Sequence, residues 1–454
     1  MEGYDYEAAA GTIKIEDLTT DRTNREILRR LKDNDPGFVE MWVMGDRQDN
    51  CDYCPEGALD SEWLGYFIGR NTKLKDLAFW SNPFKDFSNS DVETFCTGVN
   101  SNRSIQKIHF HNTDLSGGEI FQSLGQLFEK NGNLSKLVVD SCTFGAGCAR
   151  QLSMTLKGCS KSLKHLKLRY NQMGGEQLVD IIDAMSTHPQ LEKIELPKMN
   201  IGRHECTALA DLLRVTFSEL RTLSLYNNGI DDEGVDALAG ALVKCNLSVL
   251  DLSYNFDITA RSCQSLASLL ENPNSNLEEL RLYRNNIGNE GARNFADALA
   301  SNNKLTTLGL NGSGITAEGY SSFAKVLCDT SSINNTFLSN HTLESLGGSS
   351  NIPADVRSAL ALNKSSEDKR QVAIKKILKH HRHFDMQPFF EWDLKVLPIA
   401  INWFERARAI DSNNEAQIDK RKLEAIYQFI RAVPEVFEPA PAAGEKRKRS
   451  ALGT

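Results

Sequence analysis

The chain has 454 residues, 40% of them apolar and 25% charged, which are globular proportions. A formal net charge of −8 and a pI near 5.7 argue against general nucleic-acid binding, which carries a strong basic excess. No run approaches about 18 continuous apolar residues, so no membrane span is expected.

The opening MEGYDYEAAAGTIKIEDL lacks a basic region followed by an apolar run and does not read as a secretory signal. The ten irregularly spaced cysteines are therefore expected as reduced thiols in a cytoplasmic or nuclear protein. Residues 1–37 are expected to form an N-terminal cap. Asp21 to Lys32 reads as a helix with Ile27, Leu28 and Leu31 on one side.

From Phe38 a phrase repeats. Its clearest copies are "LKHLKLRYNQM" from Leu163, "LRTLSLYNNGI" from Leu220 and "LEELRLYRNNI" from Leu277, each L-x-x-L-x-L-x-x-N-x-[LIM]. Starts fall at Phe38, Leu74, Ile105, Leu134, Leu163, Leu191, Leu220, Leu247, Leu277, Leu305 and Ile333, giving about 11 repeats over 38–363. A unit this short cannot bury its apolar side alone and must stack on its neighbours.

Counting the first apolar residue as position zero, positions zero, three and five point into the core of a strand, and two and four point away. The asparagine at position eight (Asn82, Asn171, Asn228, Asn255, Asn285) is suited to bond backbone groups where the strand turns. Cys142, Thr113, Met199, Ser313 and His341 hold the same position. Met199 cannot make those bonds, so a looser turn is expected there. One residue is inserted after Asn255, which predicts a small bulge at Phe256 to Ile258. The second half of each unit reads as a helix, with apolar residues four apart such as Gly234, Leu238 and Leu242, or Gly291, Phe295 and Leu299.

A strand, an asparagine turn and a full helix in 28 or 29 residues resembles the ribonuclease-inhibitor type of leucine-rich repeat. That subtype also builds Ran GTPase-activating protein and the sensor half of NOD-like receptors. The resemblance covers roughly Leu74 to Leu346 and implies an α/β solenoid, a horseshoe with parallel strands on the concave face and helices on the convex face.

A helix over Ala354–Leu362 is expected to close the array, and residues 364–437 read as a C-terminal helical region, with a helix expected over Lys369–His380 and an aromatic-rich stretch from Phe384. Residues 438–454 read as a disordered basic tail whose Lys446-Arg447-Lys448-Arg449 resembles a nuclear-localisation patch.

Solenoids usually bind on the strand face. The outward positions there carry Trp80, His109, His111, Lys136, His165, Lys167, Arg169, Tyr170, Lys193, Tyr226, Tyr254, Arg281, Tyr283 and Arg284. Trp80, Tyr170, Tyr226, Tyr254 and Tyr283 should form a diagonal aromatic ladder. Lys136, His165, Lys167, Arg169 and Lys193 make a basic middle that suits an acidic protein surface. Cys51-x-x-Cys54 has no second pair at zinc spacing, and no phosphate loop, nucleophile elbow or metalloprotease motif is present. The expected function is a non-catalytic protein-interaction scaffold, monomeric and without cofactor, binding a protein partner on the concave face. The alternative is a GTPase activator acting on a small GTPase. Neither a nucleic-acid nor a membrane partner is expected.

Overall fold

A computed structural model describes residues 5–46 and 53–381, apart from Gly117, Gly118, Gln172, Gly174, Lys244 and Glu367. Cys51, the aromatic stretch from Phe384 and the basic tail lie outside the described residues. The chain divides into two units, Met1–Ser322 with Ser345–Ile352, and Phe323–Glu344 with Pro353–Thr454.

The first unit holds one sheet of ten parallel strands in sequence order. They are β1 (Glu40–Met44), β2 (Asp76–Trp80), β3 (Lys107–His111), β4 (Lys136–Asp140), β5 (His165–Arg169), β6 (Lys193–Glu195), β7 (Thr222–Ser224), β8 (Val249–Asp251), β9 (Glu279–Arg281) and β10 (Thr307–Gly309). Each begins two residues after a start expected from sequence. The register sets like positions side by side. Leu77, Ile108, Leu137, Leu166, Ile194, Leu223, Leu250, Leu280 and Leu308 form one buried column at position three. Each such side chain stabilises the fold by about 2 kcal/mol through burial.

Helices alternate with the strands and pack in sequence: Ala58–Arg70 on Asn89–Val99, Arg203–Val215 on Asp232–Leu242, and Ala260–Glu271 on Gly288–Leu299. The small residue that opens the apolar stripe has a steric cause. A Cβ on Gly291 would lie 2.7 Å from the Cys263 sulfur of the preceding helix. Ahead of β1, the helix Arg22–Lys32 is capped by the Asp21 carboxylate, which accepts from Asn24 N–H, and it buries Ile27, Leu28 and Leu31.

The position-eight asparagines do more than close their own turn. Asn228 donates its amide to the carbonyl of Leu196 and accepts from Met199 N–H, both one repeat back. Asn255 does the same to Leu225 and Asn228, and Asn285 to Leu252 and Asn255. The Ser313 hydroxyl continues the row, donating to Leu282 and accepting from Asn285 N–H. The looser turn expected at Met199 is therefore closed from outside: its side chain is fully buried and its N–H is held by the next repeat. After Asn255 the extra residue forms a turn, with Ile258 N–H donating to Asn255 and Phe256 pushed into solvent.

A backbone regularity accompanies this row. Position seven is left-handed from the second repeat to the tenth: Ser81, Asn112, Ser141, Tyr170, Lys198, Asn227, Tyr254, Arg284 and Gly312 all have φ between 46° and 76°. That conformation costs a residue with a Cβ roughly 1–2 kcal/mol unless it is asparagine or aspartate.

The start expected at Ile333 is corrected. Residues Ile333–Leu338 form a helix, with the Ser332 hydroxyl accepting from Asn335 N–H. Position three of that frame is Thr336, which is polar, while Ile333 and Phe337 sit four apart as on a helix. The sheet instead ends in a single parallel bridge between Thr307 and Ser345.

In the second unit, Ile333–Leu338 and Ala354–Lys364 both pack on Lys369–His380. At its centre Lys376 is fully buried and donates to the carbonyls of Leu327 and Asn340 and to His341 Nδ1. Burial pushes the ammonium down to about 7, and burial with the Lys376 charge pushes His341 down to about 4. His341, expected at a strand turn, is a partner of this lysine.

Candidate functional site

Positions two, four and six project from the sheet on the side away from the buried columns. Along this open face two zones differ in chemistry.

The first zone runs over β1 to β6. At its start Trp42, Trp80 and His111 pack together, with ring centroids 5.9 Å apart for the two tryptophans, 5.8 Å for Trp42 with His111 and 5.1 Å for Trp80 with His111. His109 stacks on His111 at 5.7 Å. Burial lowers the His111 pKa, and the Asp140 carboxylate 3.8 Å away only partly offsets this. Asp76 lies 3.2 Å from His109 and 3.1 Å from Lys107. Burial would raise its pKa, but bonds from His109 and Lys107 bring it below the ordinary value.

Glu195 is the hub of the middle strands. His165 Nε2 lies 2.8 Å away, Lys193 3.1 Å and Lys167 4.0 Å. Burial alone would raise its pKa, yet the bonds from His165 and Lys193 and the charges of Lys193 and Lys167 hold it at about 2. Arg169 lies 3.5 Å from Asp140. Lys136 is pushed down by burial and then by the charge of Lys107.

The second zone, β7 to β10, is smooth: Thr222, Ser224, Val249, Thr307 and Gly309 occupy positions two and four. Arg281 is engaged by Glu279 at 2.6 Å and Asp251 at 3.9 Å. Its rim is aromatic. Tyr226 and Tyr254 have centroids 4.8 Å apart, and the Arg284 guanidinium sits 5.5 Å from the Tyr254 ring. Burial and the neighbouring Tyr254 raise the Tyr226 pKa. Tyr283 covers glycines instead: a Cβ on Gly309 would lie 2.5 Å from its ring, and one on Gly347 2.9 Å.

Two expectations change on this geometry. The diagonal ladder breaks into groups: Trp80 joins Trp42, Tyr170 lies between Arg169 at 4.4 Å and Lys198 at 4.7 Å, Tyr226 pairs with Tyr254, and Tyr283 turns to Gly309. The basic middle is partly neutralised, because His165, Lys167 and Lys193 converge on Glu195. Sequence reasoning missed Trp42 and the carboxylates Asp76, Asp140, Glu195, Asp251 and Glu279. All occupy outward positions and were readable by the offset rule that selected the bases. Among the described residues no group of three or more metal-ligating side chains comes together, and no helix is long and apolar enough to cross a membrane. The thiols of Cys142, Cys159, Cys206 and Cys263 are pushed up to about 12 by burial.

Comparison with known proteins agrees with this architecture. A leucine-rich-repeat family model matches residues 159–176, 219–239, 274–296 and 301–324. The ribonuclease inhibitor of Mus musculus is 31% identical over 257 residues, covering 55% of each chain, and that of Sus scrofa is 29% identical over 246 residues, covering 52% of this chain and 53% of that one. NACHT, LRR and PYD domains-containing protein 4E of Mus musculus is 29% identical over 220 residues, covering 47% of this chain and 22% of that protein. The match thus spans about half the length of the inhibitors and about a fifth of the NACHT protein. Among solved structures, a chain of the Rad7 and Elc1 complex in yeast aligns with a TM-score of 0.42 at 13% identity, covering 75% of this chain and 78% of that one. On the repeat phrase, the ten-stranded parallel sheet and these relatives, the chain is a solenoid of leucine-rich repeats similar to those of the ribonuclease inhibitors.

Proposed function

We propose that the chain is a non-catalytic scaffold, monomeric and acting in the cytoplasm or nucleus, that receives a protein partner on the open face of its sheet. The observation that carries this reading is the set of aromatic rings kept partly in solvent there: Trp42 (36% exposed), Trp80, Tyr226 and Tyr254. Such rings bring large contact area at modest entropic cost and are enriched where binding energy concentrates. Two relatives, named for inhibiting ribonuclease, support a protein as the ligand class. The alternative, a GTPase activator, would complete or order a partner's active site rather than perform chemistry alone. The ribonuclease inhibitors among the relatives favour the scaffold over this alternative.

The test is affinity capture from the native cell with the full chain and with a Trp80→Ala/Tyr226→Ala variant of matching melting temperature. A protein retained by the wild type and lost by the variant supports the reading. An identical set of captured proteins overturns it.

A further inference from the structure

Position seven is left-handed in nine successive repeats, and in five of them it holds Ser, Asn or Gly. Asn and Gly adopt that backbone readily. In the repeats of β5, β6, β8 and β9 it holds Tyr170, Lys198, Tyr254 and Arg284, large residues that favour other conformations. The repeat between them has Asn227 at position seven and supplies Tyr226 from position six instead. Backbone strain retained without a packing reason points to use.

The packing reason is weak. These side chains contact one another: Lys198 sits over Tyr170, Arg284 over Tyr254, and Tyr254 beside Tyr226. None of the six residues in the row, Arg169 included, is buried. Over these five repeats positions six and seven contain three cations and no carboxylate. Among the described residues Lys198 and Arg284 form no ion pair, unlike the bases that converge on Glu195.

Resting on the scaffold reading, we propose that this row at the strand ends is the contact line for an extended acidic segment of the partner protein. Its carboxylates would meet Arg169, Lys198 and Arg284, and its backbone would lie across the tyrosine rings. Adjacent strands are about 4.8 Å apart, so the row from β5 to β9 spans about 20 Å, which fits about six residues of extended chain. The strain makes a signature that a purely structural row would lack. Replacing these residues with the types their sister repeats use should raise stability while removing binding.

The experiment compares the full chain with a combined Lys198→Asn/Tyr254→Asn/Arg284→Gly variant. Thermal unfolding is measured, and a fluorescein-labelled oligo-glutamate peptide is titrated by anisotropy, with oligothymidylate and inorganic phosphate as competing arms. The variant is expected to melt a few °C higher and to bind the peptide at least about tenfold more weakly. A lower or unchanged melting temperature, unchanged peptide affinity, or oligothymidylate or phosphate binding as tightly as the peptide would each overturn the proposal. Because Trp80 is untouched and Tyr226 is retained, failure here leaves the capture test of the sheet face standing, and the reverse outcome is equally separable.

Discussion

Strands β1 to β5 are five residues long and their open face is crowded with ion pairs and stacked rings. From β6 onward the strands shorten to three residues. Strand β6 still carries Lys193 and Glu195, and from β7 the outward positions are mostly Thr, Ser, Val and Gly, with Arg281 paired to Asp251 and Glu279 among them, bordered by tyrosines. Both halves share the same buried columns, so the hydrophobic contribution does not distinguish them. What differs is the closure of the strand ends. In the later repeats each Asn side chain bridges two units, whereas Thr113 in the third repeat donates only to the carbonyl of His111, within its own turn. In the early half Asn171 makes the same bridge, donating to Val139 and accepting from Cys142 N–H, so there charges are added to an amide tie that both halves share, and acid should act on that half more than on the other.

The largest contrast is expected from deleting a bridging amide. Asn255→Ala removes the acceptor of the Asn228 and Ile230 N–H groups in a buried site and one of the two amide donors to each of the Leu225 and Leu252 carbonyls. It should cost about 3 kcal/mol in urea unfolding, against about 1 kcal/mol for Thr113→Ala. Equal losses would break the comparison.

Acid should act on the other half. The folded Glu195 pKa of about 2 lies below its ordinary value of 4.5, so the unfolded chain binds the proton first. This stability is therefore complete above the unfolded pKa and is lost as pH falls through 4.5 toward 2. About 2 kcal/mol should disappear over that window, and Glu195→Gln should flatten the pH profile there. A profile unchanged by the substitution would show that the hub contributes nothing.

Gly309→Ala should cost about 1 kcal/mol, because the new methyl meets the Tyr283 ring. Tyr283→Ala should relieve part of that loss, and purely additive losses would contradict the contact. The smallest effect is the Tyr226–Tyr254 coupling, about 0.5–1 kcal/mol in a double-mutant cycle of thermal unfolding.

Much of the fold was legible because apolar positions zero, three and five recur wherever a strand must be half-buried. Ten of eleven starts followed from that. Ile333 misled because apolar letters at 333, 337 and 338 fit a helix as well as a strand, and only the polar Thr336 and the capping Ser332 told them apart. The left-handed position seven went unread because it leaves no apolar trace. Its signal is compositional, the Asn, Ser and Gly at five of the nine sites. A second asparagine row was also available. Asn71, Asn102 and Asn302 stand three residues before repeat starts and accept from the starting residue's N–H. His188 takes the equivalent place, its Nε2 lying 2.8 Å from the Leu156 carbonyl. The candidate face was read less well, since attention to bases and rings passed over the carboxylates whose register pairs them with those bases.

The bridging amides also have a direction. Asn228, Asn255, Asn285 and Ser313 all reach back, so each turn is completed by a residue roughly 28 positions later in the chain. During synthesis a repeat leaving the ribosome keeps an open strand end until its successor emerges. Assembly is then gated from behind, like a row of clasps fastened one at a time, and a chain halted between repeats always displays one unfastened edge.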